Sequence, residues 1–333
     1  MAQAPLRFPA TLLEFQRMFP AEPACSAYLE AVRWPDGFAC RHCGEKGEPQ
    51  RVHTRPRVLR CRHCRQEAAL TAGTIMHATR TPLQVWFWGA YLVTTQTPGM
   101  SALQFQRQLG LRRYETAFQL LHKLRAGMVR PDQDRIGTKW PVEVDETLVG
   151  GKTRGEGRGV HHKTYVAGAV EVREKREKRG RREIYAGRLR LKALPDRGKQ
   201  SLEAFVTKSV ELHSHVITDG WQGYDNLKAL GYDHEPVVLG GDPEKTEKAL
   251  PMIHLIFSNL KAWLIGTHHG VSEQHLPAYL NEFVFRFNRR FYPMTAFASA
   301  LGIGSKVPGP TYAALYGGRG VRPAAPEKRD HHG

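Results

Sequence analysis

Four cysteines in two Cys-x-x-Cys pairs limit the fold of the N-terminal part of this chain more than any other feature. Cys40 and Cys43 form the first pair, Cys61 and Cys64 form the second, and 17 residues lie between the pairs. This spacing is typical of two tight turns that hold one tetrahedral metal ion, and so small a domain needs such a metal to be stable. Four thiolates leave no open coordination position. The pattern therefore predicts a zinc ribbon with a structural Zn²⁺ ion, assigned to residues 20–72.

The charge balance of the chain indicates a polyanionic partner. Its 333 residues include 49 Lys and Arg but only 32 Asp and Glu, which gives a formal charge of +17, far more than solubility requires. The longest apolar run, residues 85–93, is shorter than the roughly 18–20 residues of a membrane-spanning helix, and no secretory signal is recognisable. We therefore expect a cytoplasmic protein without a membrane partner, in which cysteines bind metal or stay reduced.

Residues 80–132 are predicted to form a helical segment. Residues 81–95 begin with Thr-Pro and are apolar nearly all round, as expected for a buried helix. A second helix is expected over 101–109, and a third follows a turn at Gly110. The third helix carries an apolar stripe at i, i+3, i+4 and i+7, formed by Ala117, Leu120, Leu121 and Leu124. Such a pair of helices is compatible with a DNA-binding helix-turn-helix and equally with an ordinary helical core.

Alternating hydrophobicity predicts strands from Lys139 onwards. The strands are expected at 141–151, 164–172, 184–194, 213–220 and 235–240, and helices are expected at 201–212, 250–265 and 272–290. This order indicates a mixed sheet with helices on its faces, in a unit assigned to residues 138–300. Residues 301–333 are predicted to form a flexible basic tail. The predicted fold class is therefore α+β and multidomain.

Two aspartates of the strand region are the first candidates for catalysis. Asp145 lies within a short alternating strand, where an ionised carboxylate is costly unless it binds a cation. Asp219 ends the apolar strand HVITD, although Asp-Gly is equally typical of a structural turn. Two carboxylates side by side repel each other, and hard oxygen ligands suit Mg²⁺ or Mn²⁺. We therefore expect a divalent metal between these two side chains.

The helix predicted over 250–265 is expected to supply a third group. His254 and Lys261 are seven residues apart, so they lie within about 20° of each other around a helix. Asn259 lies about 140° from His254 around the same helix and is expected to serve a different face.

Four segments resemble the DDE-type transposases of bacterial insertion sequences, in the group with an N-terminal zinc ribbon and an RNase H-like (ISXO2-like) catalytic domain. These segments are VDETLVGGK, ITDGWQGYDNL, HLIFSNLKAWLIGTHHGVS and HLPAYLNEFVFRFNRR. The resemblance implies that Asp145 and Asp219 are the first two catalytic acids. With 34 residues between Asp219 and His254, it implies His254 as the third metal ligand and Lys261 as the basic residue that follows it. His254 stands where Glu is usual, and Asn259 is the rival assignment.

The resemblance also implies an activity. Asp145, Asp219 and His254 would hold two Mg²⁺ or Mn²⁺ ions, and the enzyme would cleave double-stranded DNA at terminal inverted repeats and join the 3′-OH to target DNA. It would act as a homo-oligomer on DNA at the nucleoid of a prokaryote. Two alternatives remain open, a DNA-binding regulator without catalysis and a nuclease with the same RNase H-like fold.

Two basic clusters are candidates for contact with the DNA backbone. Residues 173–182 contain seven Lys or Arg and two Glu, which is typical of a phosphate contact or of a solvated hairpin tip. The candidates in this loop are Arg176, Arg179, Arg181 and Arg182. The second basic cluster lies on the helix predicted at 272–290. It is a stripe separate from the apolar stripe of that helix and is formed by Arg286, Arg289 and Arg290.

Overall fold

The computed structural model describes residues 7–130, 132–150, 163–176, 182–237 and 249–317. The α-helices are α1 Leu12–Met18, α2 Glu22–Arg33, α3 Leu83–Thr95, α4 Ala102–Gln108, α5 Tyr114–Ala126, α6 Lys199–Ser209, α7 Pro251–His268, α8 Leu276–Phe287, α9 Met294–Gly304 and α10 Tyr312–Tyr316. The strands are β1 Gln50–Arg51, β2 Val58–Arg60, β3 Glu67–Ala69, β4 Val142–Val149, β5 Thr164–Arg176, β6 Arg182–Leu194, β7 His215–Thr218 and β8 Asp233–Pro236. Within these ranges no helix is both long enough and apolar enough to cross a membrane.

The N-terminal cysteines belong to a three-stranded antiparallel sheet with the strand order β1-β2-β3. Each strand has only two or three residues, too few for a sheet that is stable on its own. The buried core of this sheet is correspondingly small and consists of Phe38, Cys40, Leu59 and Cys61. The ribbon therefore depends on its cysteine cluster for stability.

Helix α3 lies at the centre of a helical core, because its side chains are apolar on nearly all sides. Its buried residues include Leu83, Trp86, Phe87, Ala90 and Val93. Helices α2, α5 and α9 pack directly on α3. The rings of Phe15 from α1 and Phe297 from α9 lie 5.7 Å apart, so helices that are distant in sequence meet in this core.

The structure differs from the predicted domain limits at the N-terminal end. Helix α2 begins within residues 20–72, yet it packs on α3 and not only on the ribbon. Cys25 and Leu29 of α2 are fully buried in the helical core. Residues 80–132 are therefore one part of a larger helical unit, because contacts between distant segments complete it.

The C-terminal limits differ as well. Helix α9 lies mostly inside the predicted unit 138–300, but it packs on α3 in the helical core. Within the predicted tail, residues 301–317 are described, and Leu301 and Leu315 are buried there. The remaining tail residues, 318–333, lie outside the described residues.

Five strands form a mixed sheet in the order β6-β5-β4-β7-β8. Strands β4, β5 and β6 are antiparallel neighbours, whereas β7 runs parallel to β4 and β8 runs parallel to β7. Val142 and Val144 of β4 lie in the core that the sheet forms with α6. Helices α7 and α8 cover the opposite face. Because side chains alternate along a strand, Glu143 and Asp145 face α7.

Three element limits also differ from the sequence patterns. Strand β8 lies at Asp233–Pro236, earlier than the strand predicted at 235–240, whose last three residues are outside the described ranges. Helix α7 continues to His268, and α8 starts after a 3₁₀ turn at Glu273–His275.

Candidate active site and metal centre

The four ribbon cysteines converge on one point. All four Sγ atoms lie within 4.8 Å of one another. The Sγ atoms of Cys40 and Cys64 are 3.6 Å apart, and those of Cys43 and Cys61 are 3.7 Å apart. Zn–S distances of about 2.3 Å place the ligands of a tetrahedral site roughly 3.8 Å apart. Both the thiol donors and their spacing therefore fit a structural zinc ion.

The two cysteine turns share one backbone pattern. The N–H of Gly44 donates to the carbonyl of Cys40 at 2.9 Å, and the N–H of Arg65 donates to the carbonyl of Cys61 at 3.1 Å. Gly44 and Arg65 both have positive φ, 75° and 61°. The backbone N–H of Cys43 is the main cause that lowers the pKa of the Cys40 thiol to about 6. In the same cluster, despite the Gln66 N–H, burial and the neighbouring thiols raise the pKa of Cys64 to about 12, so a bound cation is needed to hold all four side chains as thiolates.

Ion pairs neutralise several of the arginines that surround the ribbon. Arg51 pairs with Glu30 at 2.9 Å, and Arg55 pairs with Glu67 at 2.7 Å. Arg41 has no ion-pair partner among the described residues. The positive charge that the ribbon offers to a partner is therefore smaller than its count of arginines suggests.

Asp145 and Asp219 come from neighbouring parallel strands. The register of β4 and β7 pairs Glu143 with Ile217. Two residues further on, the same offset places Asp219 opposite Asp145, immediately after the end of β7. Burial raises the pKa of Asp219, and the nearby charge of Asp145 raises it further. The sheet therefore brings the two aspartates predicted from the sequence close together.

Helix α7 approaches the sheet closely at Asp145. The residue opposite Asp145 on β5 is Gly168. A Cβ atom at Gly168 would lie 2.7 Å from Cδ1 of Ile253 and 2.9 Å from Cε1 of Phe257, so a side chain there would push the helix away. The close approach places Nε2 of His254 3.0 Å from Oδ2 of Asp145, where the imidazole N–H donates to the carboxylate.

The contact with Asp145 changes the protonation of His254. The hydrogen bond to Asp145 is the main cause that raises the pKa of His254, against an opposing effect of burial. The other carboxylate oxygen of Asp145 accepts the N–H of Glu146 at 2.8 Å. The raised pKa favours the imidazolium form of His254 beside Asp145, and a metal ion that binds His254 would have to displace that proton.

Glu143 fixes the start of α7. Its Oε2 accepts the N–H of Ile253 at 2.8 Å, and α7 has no capping side chain at its own first residue. The first N–H groups of a helix lack intrahelical partners and favour a negative charge. Burial raises the pKa of Glu143 to about 6. One strand thus supplies both the cap of α7 and the partner of His254, a role for Glu143 that sequence reasoning missed.

Lys261 and Asn259 lie on different sides of α7. Lys261 follows His254 by seven residues on α7, so the two residues lie on one face of the helix; burial lowers the pKa of Lys261, and the charge of Asp145 opposes this. Asn259 instead lines a groove together with Thr97. The structure thus brings Asp145, Asp219, His254 and Lys261 to one side of α7, and it places Asn259 on another.

The face of β4 opposite α7 carries a polar cluster that the sequence patterns did not reveal. The hydroxyl of Tyr224 donates to Oε2 of Glu146 at 2.8 Å, and Arg197 Nε lies 3.8 Å from Oε1. The Arg197 guanidinium also lies 3.6 Å from the ring centre of Trp221, whose backbone N–H donates to Asp219 at 3.0 Å. Burial raises the pKa of Glu146 to about 7. The cluster supports the turn at Asp219, and the aromatic residues after that aspartate were its only sequence signal.

The aspartate pair matches the chemistry of a hard divalent cation. Asp145 is 7% exposed and Asp219 is partly buried, so their like charges repel in a poorly solvated place unless a cation lies between them. Within the described ranges, the four cysteines are the only group of three or more His, Cys, Asp or Glu side chains with ligand atoms all within 4.8 Å. A metal held by Asp145, Asp219 and His254 together would therefore require a side chain to move.

The predicted DNA contacts at residues 173–182 fall partly outside the described residues, which leave out 177–181. Arg179 and Arg181 are not among the described residues, and Arg176 and Arg182 are the terminal residues of β5 and β6.

The basic stripe predicted on α8 is wrong for Arg286. Its guanidinium donates to the backbone carbonyls of Gln96 and Thr97, and it lies 3.5 Å from Glu282. These contacts turn the side chain towards the helical core, so it is not free to follow a DNA backbone.

Arg289 and Arg290 are partly exposed and lie against aromatic rings. The Arg289 guanidinium is 3.8 Å from the ring centre of Phe285, and that of Arg290 is 4.0 Å from the ring centre of Phe287. Both residues follow the end of α8 and donate to backbone carbonyls of that helix, and Arg290 also donates to the carbonyl of Ala186 on β6. Their contact with DNA stays a prediction.

Two family models match the chain. One is described as an ISXO2-like transposase domain and matches residues 137–288, which contain Asp145, Asp219 and His254. The other is described as a transposase zinc-ribbon domain and matches residues 20–67, which contain the four cysteines. Comparison with curated proteins and with solved structures gave no match.

Proposed function

The chain belongs to the DDE-type insertion-sequence transposases that join an N-terminal zinc ribbon to an ISXO2-like catalytic domain, and we propose that it cleaves and joins DNA with Asp145, Asp219 and His254. The observation that carries this proposal is the convergence of two aspartates from parallel strands with a histidine from α7. In the proposed reaction, water attacks phosphorus at the end of the element, and the P–O3′ bond breaks. The free 3′-OH then attacks a target phosphorus and displaces another 3′ oxygen.

The divalent ions of the proposed reaction would be Mg²⁺ or Mn²⁺. Asp145 and Asp219 would hold one ion, and Asp145 and His254 would hold the other. When bound, such ions lower the pKa of the attacking hydroxyl and neutralise charge on the phosphate. Since imidazole is a softer ligand than carboxylate, the position of His254 favours Mn²⁺.

The other residues would position the substrate. Lys261 lies on the aspartate side of α7 and would pair with a phosphate near the scissile bond. Trp221 would keep Asp219 oriented through its backbone N–H. The ribbon and the α4–α5 pair would hold the inverted repeats, with the protein acting as a homo-oligomer at the nucleoid of a prokaryotic cell.

A strand-transfer assay tests this function. Short duplexes that end in the inverted repeats flanking the gene are mixed with target DNA and Mn²⁺ or Mg²⁺. We expect Asp145→Ala and Asp219→Ala to abolish joining while binding to the duplex persists. Asp225→Ala, an exposed aspartate six residues after Asp219, is the matched control and should keep joining.

The same assay decides the third ligand. We expect His254→Ala to remove cleavage and Asn259→Ala to have a milder effect, because only His254 contacts Asp145. The reverse order of effects would contradict the assignment of His254.

A sequence-specific DNA-binding regulator is the second candidate. It is favoured by the finding that, in the described ranges, no three ligand groups around Asp145 are gathered for a metal. The regulator would be supported if the wild-type protein binds the repeats but does not join them, whichever divalent ion is added. Nicking of DNA without these ends would instead support a nuclease.

A further inference from the structure

A groove on the side of α7 away from His254 has no role in the chemistry described above. It has a volume of about 620 Å³ and lies between the loop after α3 and the helices α7 and α8. This size is within the range of sites that take small ligands or single side groups. Asn259, which lines the groove, is about 140° around the helix from His254. The groove is therefore separate from the aspartate site, although both sites share one helix.

Aromatic rings form one side of the groove. The ring centres of Trp263 and Phe283 are 5.6 Å apart, and those of Phe283 and Phe287 are 6.2 Å apart with planes only 17° from parallel. The opposite wall is held in place, because Trp263 Nε1 and Thr267 Oγ1 both donate to the carbonyl of Pro98 at 3.0 Å. The aromatic side is thus already formed without a ligand.

The charges at the groove have one sign. Arg286 and Arg290 line it, and no acidic residue is among the described residues that do so. The Arg290 guanidinium lies between two rings, 4.0 Å from the centre of Phe287 and 4.4 Å from that of Phe291. Phe291 is 63% exposed, so it extends the aromatic surface into solvent.

A polar group is also available at the groove. The amide of Asn259 is exposed and has no hydrogen-bond partner in the part of the chain that the structure describes. Amides of this kind can pair with the edge of a nucleobase. Flat apolar rings, the Arg290 guanidinium and the exposed Asn259 amide together match the three parts of a nucleotide, namely its base face, its phosphate and its base edge.

We propose that this groove binds an unpaired nucleotide of the DNA on which the protein acts. The inference rests on the proposed function, since it takes DNA as the substrate. A base that leaves its duplex would stack on the rings, and its phosphate would face Arg290. The groove would thus hold a strand that is locally unpaired while the aspartate site engages a neighbouring phosphate.

The test uses full-length protein and fluorescent single-stranded DNA roughly ten nucleotides long. Ala262→Glu places a negative charge and added bulk at an exposed, groove-lining position of α7. Ile265→Glu adds the same charge three residues further along this helix, at a position 63% exposed and outside the groove. Both variants should fold, because neither side chain is buried. Phe291→Ala tests the exposed end of the aromatic surface.

We expect Ala262→Glu to weaken single-strand binding at least tenfold, Phe291→Ala at least threefold, and Ile265→Glu less than twofold. Binding to a fully paired duplex should fall equally in the two Glu variants. Equal effects of these two variants on the single strand would overturn the proposal. The proposal would also be overturned if the wild type is an oligomer and Ala262→Glu dissociates it without any loss of single-strand binding. The groove would then be a subunit interface.

The failure of this inference can be told apart from failure of the proposed function. If wild type joins DNA ends but Ala262→Glu binds single strands normally, only the groove assignment is wrong. If wild type never joins ends but Ala262→Glu still weakens single-strand binding selectively, the groove assignment stands and the transposition chemistry does not.

Discussion

Glu143 offers the sharpest test of how the sheet positions α7. Removal of its carboxylate in Glu143→Ala leaves the N–H of Ile253 buried without an acceptor. A hydrogen bond to a charged group contributes about 1.5–3 kcal/mol, and a negative charge at a helix N-terminus contributes up to about 1 kcal/mol. We therefore expect Glu143→Ala to lower the free energy of unfolding by roughly 2–4 kcal/mol.

Glu143→Gln separates the cap from the charge. The amide keeps an oxygen that can accept the N–H of Ile253, and it avoids the cost of burying a carboxylate whose pKa is raised to about 6. We expect this variant to lose no more than about 1 kcal/mol. It should also keep DNA joining near the wild-type rate, whereas Glu143→Ala should lose most of it because His254 shifts relative to Asp145.

Urea unfolding, monitored by tryptophan fluorescence, measures the stabilities of the variants. The strand-transfer assay measures the joining. Glu183→Ala is the control, since Glu183 is an exposed glutamate on β6 and should change stability by less than about 0.5 kcal/mol. Equal losses in Glu143→Ala and Glu143→Gln would refute the capping role. So would a loss below about 1 kcal/mol in Glu143→Ala.

Three further outcomes follow from the structure. Chelation of zinc, or Cys43→Ser, should unfold the ribbon and abolish binding to the repeats. Hydrogen exchange of the ribbon amides measures the unfolding, with the amides of the mixed sheet as the internal control. Unchanged protection of the ribbon amides would contradict this prediction. Gly168→Ala on β5 should lower the free energy of unfolding by about 1–3 kcal/mol and reduce joining, because the new Cβ meets α7. Gly266→Ala, on the open face of α7, should not destabilise the protein in the same urea assay. Burial lowers the pKa of His122 in the folded protein to about 3, so the unfolded chain binds the proton first as the pH falls. His122 should therefore lower the free energy of unfolding by up to about 1.4 kcal/mol per pH unit between about pH 6.5 and pH 3. Urea titrations at several pH values should show a shallower acid slope in His122→Leu, and an unchanged slope would contradict this assignment.

The sequence could predict features that depend on local spacing. The metal-binding turns follow from two Cys-x-x-Cys pairs, and the strand positions of Asp145 and Asp219 follow from alternating hydrophobicity. Helical periodicity likewise separates His254 and Lys261 from Asn259, as the structure does. Each of these inferences uses residues close in the chain, where secondary structure alone decides which side chains share a face.

Features that depend on contacts between distant segments could not be predicted in this way. Glu143 and Asp145 share one face of β4 by alternation, and only the packing of α7 shows that Glu143 caps a helix. Arg286 lies on a polar stripe of α8, but that stripe faces the loop after α3 instead of solvent. Helix α9 is apolar and falls mostly within the predicted unit 138–300, although its partners are in the helical core.

Helix α8 ties the helical core to the five-stranded sheet through a buried ion pair. Arg125 of α5 and Glu282 of α8 are almost completely buried, and Nε of Arg125 lies 2.8 Å from Oε2 of Glu282. Burial of both charges costs about as much free energy as their attraction returns, so this pair adds little stability compared with apolar residues of the same volume. Its consequence is geometric, because a hydrogen-bonded ion pair accepts one relative placement of the two helices where an apolar contact accepts several. Together with Arg286, which holds the loop after α3, the pair keeps the α4–α5 segment in a fixed position relative to β4 and α7. DNA held by that segment would then meet Asp145 at a distance set by the fold and not by a linker.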